Sequence, residues 1–241
     1  MMLREVLRKA RKLAKIARRP ALLTPLRHGS AAAVEHEVSL SLIKPATIVD
    51  VGANVGQFSL IASAIHPQAQ IFGFEPLPRA ADVYEKVFAG RSNVTLFRHA
   101  LGERAGTATL NLAGADDSSS LLPISDAMVS LYPQTRTVGK ISVNVRPLRD
   151  VLPEIVAPAL LKIDVQGAEL EVLKGCGEML AAFDHIYVEL SFTELYLGQP
   201  LASEVICYLA GRQFTVCGVY NVSTVAGGAS VQADFLFQRQ P

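Results

Sequence analysis

The stretch Thr47-Ile48-Val49-Asp50-Val51-Gly52-Ala53-Asn54-Val55-Gly56-Gln57-Phe58 constrains the fold more than any other part of the chain. A short apolar, β-branched run ends in an acid and breaks into a loop with two glycines, which reads as a strand, a tight turn and the start of a helix. Glycine accepts positive φ and has no Cβ, so a backbone here can approach a ligand closely. Taken alone, the loop is equally an ordinary strand-to-helix turn.

A second element gives the loop a partner. Residues 70–76 form another short apolar strand that ends at Glu75. An acid roughly 20 residues beyond a glycine loop, at the tip of the next parallel strand, stands where a pair of ribose hydroxyls would be held. The two elements together describe a site for an adenosine-containing cofactor. Charge then separates the candidates. A dinucleotide places its pyrophosphate over the glycine turn, where an acid would repel it. Here Asp50 opens the loop, and the spacing is Asp-x-Gly-x-Asn-x-Gly rather than Gly-x-Gly-x-x-Gly. S-adenosylmethionine has no phosphate and carries an ammonium and a sulfonium, so the sequence favours a methyl donor over a nicotinamide.

The remaining chain predicts the sheet around that loop. A helix near 80–88 and a strand over 93–98 continue a strand–helix alternation, which implies parallel pairing with right-handed crossovers. His99, Ala100, Leu101 and Gly102 follow. Residues 107–112 and 140–145 alternate with a period of two, as in an antiparallel pair with one exposed face. The polar stretch 114–121 and the loop over 132–139 lie between them and read as a substrate lid or as a plain surface loop. Alternation resumes with a strand over 159–164, a helix to about Lys174 stopped by Gly175 and Gly177, a strand over 185–190 and a helix over 201–210. Strands at 214–220 and 233–237 face each other across Gly227-Gly228 as a terminal antiparallel hairpin. The expectation is an α/β, Rossmann-like class I methyltransferase fold: a seven-stranded, mostly parallel sheet ordered 3-2-1-4-5-7-6, with an antiparallel insertion between strands three and four.

The 241 residues suit one large domain with an appendage, divided here as a basic amphipathic helix and linker over 1–25 and a catalytic domain over 33–241. The net charge of +1 conceals an asymmetry, with +7 in residues 1–19 and −6 in the rest. An acidic body argues against a nucleic-acid groove, which needs Lys and Arg to neutralise phosphates. Residues 2–19 carry helical periodicity and read as a helix packing on the domain or on a second copy, as a peripheral anchor on an anionic membrane, or as an organellar transit segment. Cys176, Cys207 and Cys217 have no metal-ligand spacing and read as reduced, mostly buried thiols of a cytoplasmic protein. No apolar run reaches the ~18 residues of a membrane span.

In an open parallel sheet, ligands bind beyond the carboxyl ends of the strands, where strand order reverses. Asp50 and Gly52, Glu75, Asp164 and Glu189 occupy such ends. Acids there also serve as helix N-caps, but four around one crevice suggest chemistry. Asp50 and Glu75 fall on the cofactor side, Asp164 and Glu189 on the acceptor side. An alcohol is a poor nucleophile until it loses its proton, so Asp164 and Glu189 suit either a general base with its orienting partner or two ligands of a divalent ion, magnesium or calcium rather than zinc. After strand four, methyltransferases of amino groups usually carry an (Asn/Asp)-Pro-Pro-(Tyr/Phe) turn. The turn Asp164-Val165-Gln166-Gly167 departs from it and favours a hydroxyl acceptor.

Val49 to Gly56, Phe74-Glu75-Pro76, Ala100-Leu101-Gly102, and above all Leu161-Lys162-Ile163-Asp164-Val165-Gln166-Gly167-Ala168-Glu169 with Val188-Glu189 resemble the FkbM family of methyltransferases. The resemblance spans residues 48–214 and implies S-adenosylmethionine-dependent O-methylation of a hydroxyl on a carbohydrate, glycolipid or polyketide-like acceptor. It places Gly52, Asn54 and Gly56 along the methionine, Glu75 on the ribose, Ala100 and Leu101 near the adenine, and Asp164 and Glu189 toward the acceptor. Two other functions compete: an NAD(P)-dependent oxidoreductase with the same loop-plus-acid layout, and a non-catalytic domain docking at membranes through residues 2–19.

Overall fold

The computed structural model describes residues 15–17, 19–152, 154–225 and 227–240. Its main body is a seven-stranded sheet of β1 (Thr47–Val51), β2 (Gln70–Phe74), β3 (Val94–Phe97), β7 (Ala159–Ile163), β8 (His185–Ser191), β9 (Phe214–Thr224) and β10 (Ser230–Arg239), ordered β3-β2-β1-β7-β8-β10-β9. Counted along this sheet alone, the order is the expected 3-2-1-4-5-7-6. Only β10 runs antiparallel to its neighbours. The insertion is more than a hairpin: β4 (Ala100–Leu101), β5 (Gly106–Ala113) and β6 (Thr137–Arg146) form a three-stranded sheet ordered β4-β6-β5, in which β4 pairs parallel to β6.

β1 and β7 sit at the centre of the sheet and are buried along their whole length, as apolar strands covered on both faces must be. Because successive side chains alternate, they divide their residues between two cores. Val49, Val51, Leu161 and Ile163 join Val172, Leu173, Phe183, Val205 and Leu209 on one face. Ile48 and Leu160 join Leu60, Ile61, Tyr84 and Phe88 on the other. The helices involved, in chain order, are α1 (Glu37–Ser41), α2 (Gln57–Ile65), α3 (Pro78–Val87), α4 (Asp126–Leu131), α5 (Glu169–Cys176) and α6 (Ala202–Ala210).

The segment read as a linker is part of the body. Short 3-10 turns at Pro20–Leu22 and Thr24–His28 bury Leu22 and Pro25, and Ile16 and Leu22 belong to the same core as Ile48 and Phe58. Lys15 and Arg19 both pair with Glu37 at the start of α1. The rest of the amphipathic helix, and with it the membrane and self-association readings of residues 2–19, lies outside the described residues. Among the described residues no helix is long and apolar enough to cross a membrane. Of the three thiols only Cys176 is buried; Cys207 and Cys217 are exposed, which corrects the expectation that most are buried.

Candidate active site

The carboxyl ends of β1, β2 and β7 open into a pocket of about 370 Å³, lined also by Leu110, Asp117, Ser119 and Leu121 of the insertion and by Ala33, Glu35 and His36. It lies where strand order reverses, with β2 on one side of β1 and β7 on the other. Of the residues expected there, Gly52, Asn54, Glu75, Ala100, Leu101 and Asp164 line it, whereas Asp50, Gly56 and Glu189 do not.

Local geometry builds the glycine loop. Gly52 has φ +74, and a Cβ on it would lie 1.8 Å from the Asp164 carbonyl oxygen, so only glycine lets β1 turn this close to the end of β7. Gly56 has φ +88, but its missing Cβ makes room for Phe88 and Tyr84 rather than for a ligand. The loop's N–H groups are all committed within the protein. Gly52 and Ala53 donate to Phe74 O, Asn54 to Glu75 Oε2, Val55 to its neighbour's side chain at Asn54 Oδ1, and Gly56 to Ala53 O. A pyrophosphate needs such donors free, so this loop is no phosphate cradle.

That is a firmer reason than the charge of Asp50, which requires correction. Asp50 is fully buried and does not face the pocket. In the β1–β7 register it stands opposite Lys162, whose Nζ lies 3.0 Å from Asp50 Oδ1. Ser59 donates to the other carboxylate oxygen at 2.7 Å, and Tyr84 donates to Ser59. Burial opposes the Lys162 charge, yet Asp50 and Asp164 hold its pKa above the ordinary lysine value. The same ammonium reaches Gly52 O at 3.1 Å, so the pair fastens the loop instead of presenting an acid to a ligand.

Glu75 does face the pocket. Oε1 accepts from Leu77 N at 2.7 Å and Oε2 from Asn54 N at 2.8 Å, which fixes the carboxylate while leaving each oxygen lone-pair capacity. Burial raises its pKa to about 7 against the pull of those two N–H groups. Ala100 and Leu101 form β4, and Leu110 and Leu121 from the insertion complete an apolar wall nearby.

Asp164 and Glu189 are joined by a residue the sequence reading left without a role. Gln166, at φ 58, donates from Nε2 to Asp164 Oδ1 at 2.6 Å and to Glu189 Oε2 at 3.1 Å. Its amide thus stands between the two carboxylates, where a shared cation would have to be. Tyr196 Oη lies 2.8 Å from Gln166 Oε1 and 3.1 Å from Ser118 O, sharing its one proton between them. Ser120 Oγ donates to Gln166 O at 2.6 Å, so the polar stretch 114–121 is tied to the acids. Burial raises the pKa of Asp164 against the opposing charge of Lys162, and raises that of Glu189 further with the help of Asp164 and Asp234. Glu169 caps this turn by accepting from Gly167 N and Val165 N, and burial raises its pKa to about 7.

Sequence reasoning also missed Glu35, His36, Asp117 and Ser119, which reach the pocket from segments far apart in the chain. With Lys162 already paired to Asp50, the wall still carries the carboxyl groups of Glu75, Asp117 and Asp164. A wall of this charge with a carboxylate free to take hydroxyl donors fits S-adenosylmethionine, whose ammonium and sulfonium need anionic surroundings and whose ribose needs acceptors. When bound, that group supplies an electrophilic methyl on sulfur.

Comparison with known proteins agrees. Residues 50–216 match the model of the methyltransferase FkbM domain. The 2-O-methyltransferase NoeI of Sinorhizobium fredii is 33% identical over 175 residues, covering 69% of this chain and 72% of that protein. The 31-O-demethyl-FK506 methyltransferase FkbM of Streptomyces tacrolimicus is 31% identical over 205 residues, covering 72% and 75%. A Clostridium thermocellum structure assigned as an rRNA-methylase shares the fold, with a TM-score of 0.50 at 12% identity over 86% of this chain and 93% of that one. This chain belongs to the FkbM family of S-adenosylmethionine-dependent methyltransferases.

Proposed function

We propose that the protein transfers a methyl group to a hydroxyl of a carbohydrate, glycolipid or polyketide-like acceptor. The observation that carries this reading is that one pocket is lined both by Glu75 and by Asp164, with Gln166, Asp117, Ser119 and His36 adding polar groups to its wall. Such a lining suits an acceptor rich in hydroxyls, and two relatives are named for oxygen methylation.

On this reading Glu75 takes the ribose hydroxyls, Gly52 and Asn54 flank the methionine, and Ala100 and Leu101 border the adenine. Asp50 and Gly56 support these groups from behind. Asp164 accepts a hydrogen bond from the acceptor hydroxyl and so turns an oxygen lone pair toward the methyl carbon; holding two reactants in line supplies much of the acceleration. Glu189 acts on Asp164 through Gln166 and touches no reactant.

Calorimetry with S-adenosylmethionine tests the donor half. The wild type binds, and Glu75→Ala weakens binding by about tenfold or more, the loss expected for hydrogen bonds to a charged group; no binding by the wild type ends the proposal. Methyl transfer from labelled donor to a panel of methyl hexosides and macrolide alcohols tests the acceptor half. Asp164→Ala keeps its donor affinity and loses transfer by about 100-fold. Full transfer by that variant would remove Asp164 from the reaction.

A further inference from the structure

His36 closes a 3-10 turn, Val34–His36, ahead of α1, and its ring lines the pocket beside Phe58. All of the ring's polar partners in the described residues meet it at one nitrogen. Nδ1 lies 3.0 Å from Tyr187 Oη, 3.4 Å from Asp234 Oδ2 and 3.3 Å from Asn221 Nδ2. The direction of these bonds follows from the neighbours. Tyr187 donates its only proton to Asp234 Oδ2 at 3.0 Å, and Asn221 donates to the same oxygen at 2.7 Å. Tyr187 can therefore serve Nδ1 only as an acceptor, and Asp234 can do nothing else. Both favour a proton on Nδ1 over the longer approach of Asn221 Nδ2, which can only donate and already does so to Asp234 at the shorter distance; Nε2 of the neutral ring then keeps its lone pair.

The dyad is well supported. Asp234 stands opposite Glu189 in the β10–β8 register and is buried. Burial works against its charge, but His36, Asn221 and Tyr187 together hold its pKa below the ordinary aspartate value. Edge contacts from Phe58 at 5.4 Å and Tyr187 at 5.5 Å fix the plane of the imidazole. The ionisable groups around the ring are Asp234 on β10, Tyr187 on β8, Asp164 at the end of β7, Lys162 across Phe58, and Glu35 beside it in the chain.

We propose that His36 is the general base of the methyl transfer, and that Asp234 is its positioning residue. This rests on the O-methyl transfer described above and adds the destination of the proton. The acceptor oxygen forms a bond to the methyl carbon, and the methyl–sulfur bond breaks with its electron pair remaining on sulfur. The hydroxyl proton passes to His36 Nε2, and the resulting imidazolium is held against the Asp234 carboxylate. Asp164 orients the hydroxyl and Nε2 removes its proton.

Long-range proton–nitrogen correlation spectra of the ligand-free full chain test the dyad without donor or acceptor. The neutral His36 ring shows the Nδ1–H tautomer, and Asp234→Ala, which frees the Tyr187 proton to reach Nδ1, moves the ring toward the Nε2–H tautomer. A neutral ring protonated at Nε2, with Nδ1 accepting from Asn221, overturns the proposal, as does a tautomer unmoved by Asp234→Ala. With a methyl hexoside turned over by the wild type, His36→Gln lowers kcat by about 100-fold with unchanged donor affinity. Added imidazole restores part of the turnover of His36→Ala. An undiminished kcat in His36→Gln overturns the base role even if the tautomer is as expected. Failure of the wild type to bind the donor would instead count against the methyl-transfer reading and leave the spectra unaffected.

Discussion

The two ends of the pocket, proposed above as the donor end and the acceptor end, are built in opposite ways. At the donor end, a loop and the tip of the neighbouring strand satisfy each other over a short span of sequence: Glu75 accepts from Asn54 N, and Phe74 O accepts from Gly52 N and Ala53 N. At the acceptor end, His36, Ser118, Ser120, Asp164, Gln166, Glu189, Tyr196 and Asp234 converge from segments spread across the chain. The first end is rigid because its contacts are backbone hydrogen bonds fixed by the sheet. The second depends on side chains whose partners can be exchanged one at a time.

The contrast can be broken most severely where Gly52 and Asp164 bring the two ends together. Gly52→Ala drives a Cβ into the Asp164 carbonyl and forces a side chain to positive φ. It should cost about 3 kcal/mol or more of folding stability, read from the urea midpoint. An unchanged midpoint would mean that β1 and β7 are not locked together there.

A medium effect separates the ends by pH. Hydroxyl donors favour the ionised form of Glu75, and the free protein holds that carboxyl at a pKa of about 7. Binding therefore releases a proton at low pH, and the Kd for S-adenosylhomocysteine should tighten about tenfold between about pH 6 and about pH 8. Glu169 titrates in the same range, so the assignment needs Glu75→Gln, in which the dependence flattens. A pH dependence that survives in Glu75→Gln would move the effect to the acceptor side.

The smallest effect probes the tie between lid and acids. Tyr196→Phe removes the hydroxyl shared by Gln166 and Ser118. Losing a hydrogen bond of about 1 kcal/mol should speed amide exchange over residues 114–121 about fivefold, with donor affinity unchanged. Unaltered exchange would show that Ser120 alone fastens that stretch to Gln166.

How much of this was legible beforehand follows the same division. The strand order, the terminal hairpin and the insertion were readable because alternation and turn residues are local signals. Glu75 and Gly52 were readable because their spacing along the chain reflects one strand–helix–strand unit. Asp164 was read as an acid at a strand end and follows β7 directly, whereas Glu189, read the same way, lies inside β8, which runs on to Ser191; Gln166, which joins them, carries no signal beyond its place in the Lys162 to Glu169 block. His36 was unreadable: a lone histidine in an irregular segment acquires meaning only from Asp234 and Tyr187, distant in sequence.

Asp50 shows where the boundary falls. The sequence by itself determined that a strand ends near an acid and gives way to glycines, since β-branched propensity and glycine freedom act within a few residues. Where the carboxylate points was decided by the tertiary structure alone. Parallel pairing sets Asp50 opposite Lys162, and alternation turns both toward the face covered by α2. There the low dielectric joins them to each other rather than to a ligand. The acid that first suggested a cationic cofactor neutralises a lysine behind the loop, and the carboxyl groups that do line the pocket, Glu75, Asp117 and Asp164 among them, come together only on folding.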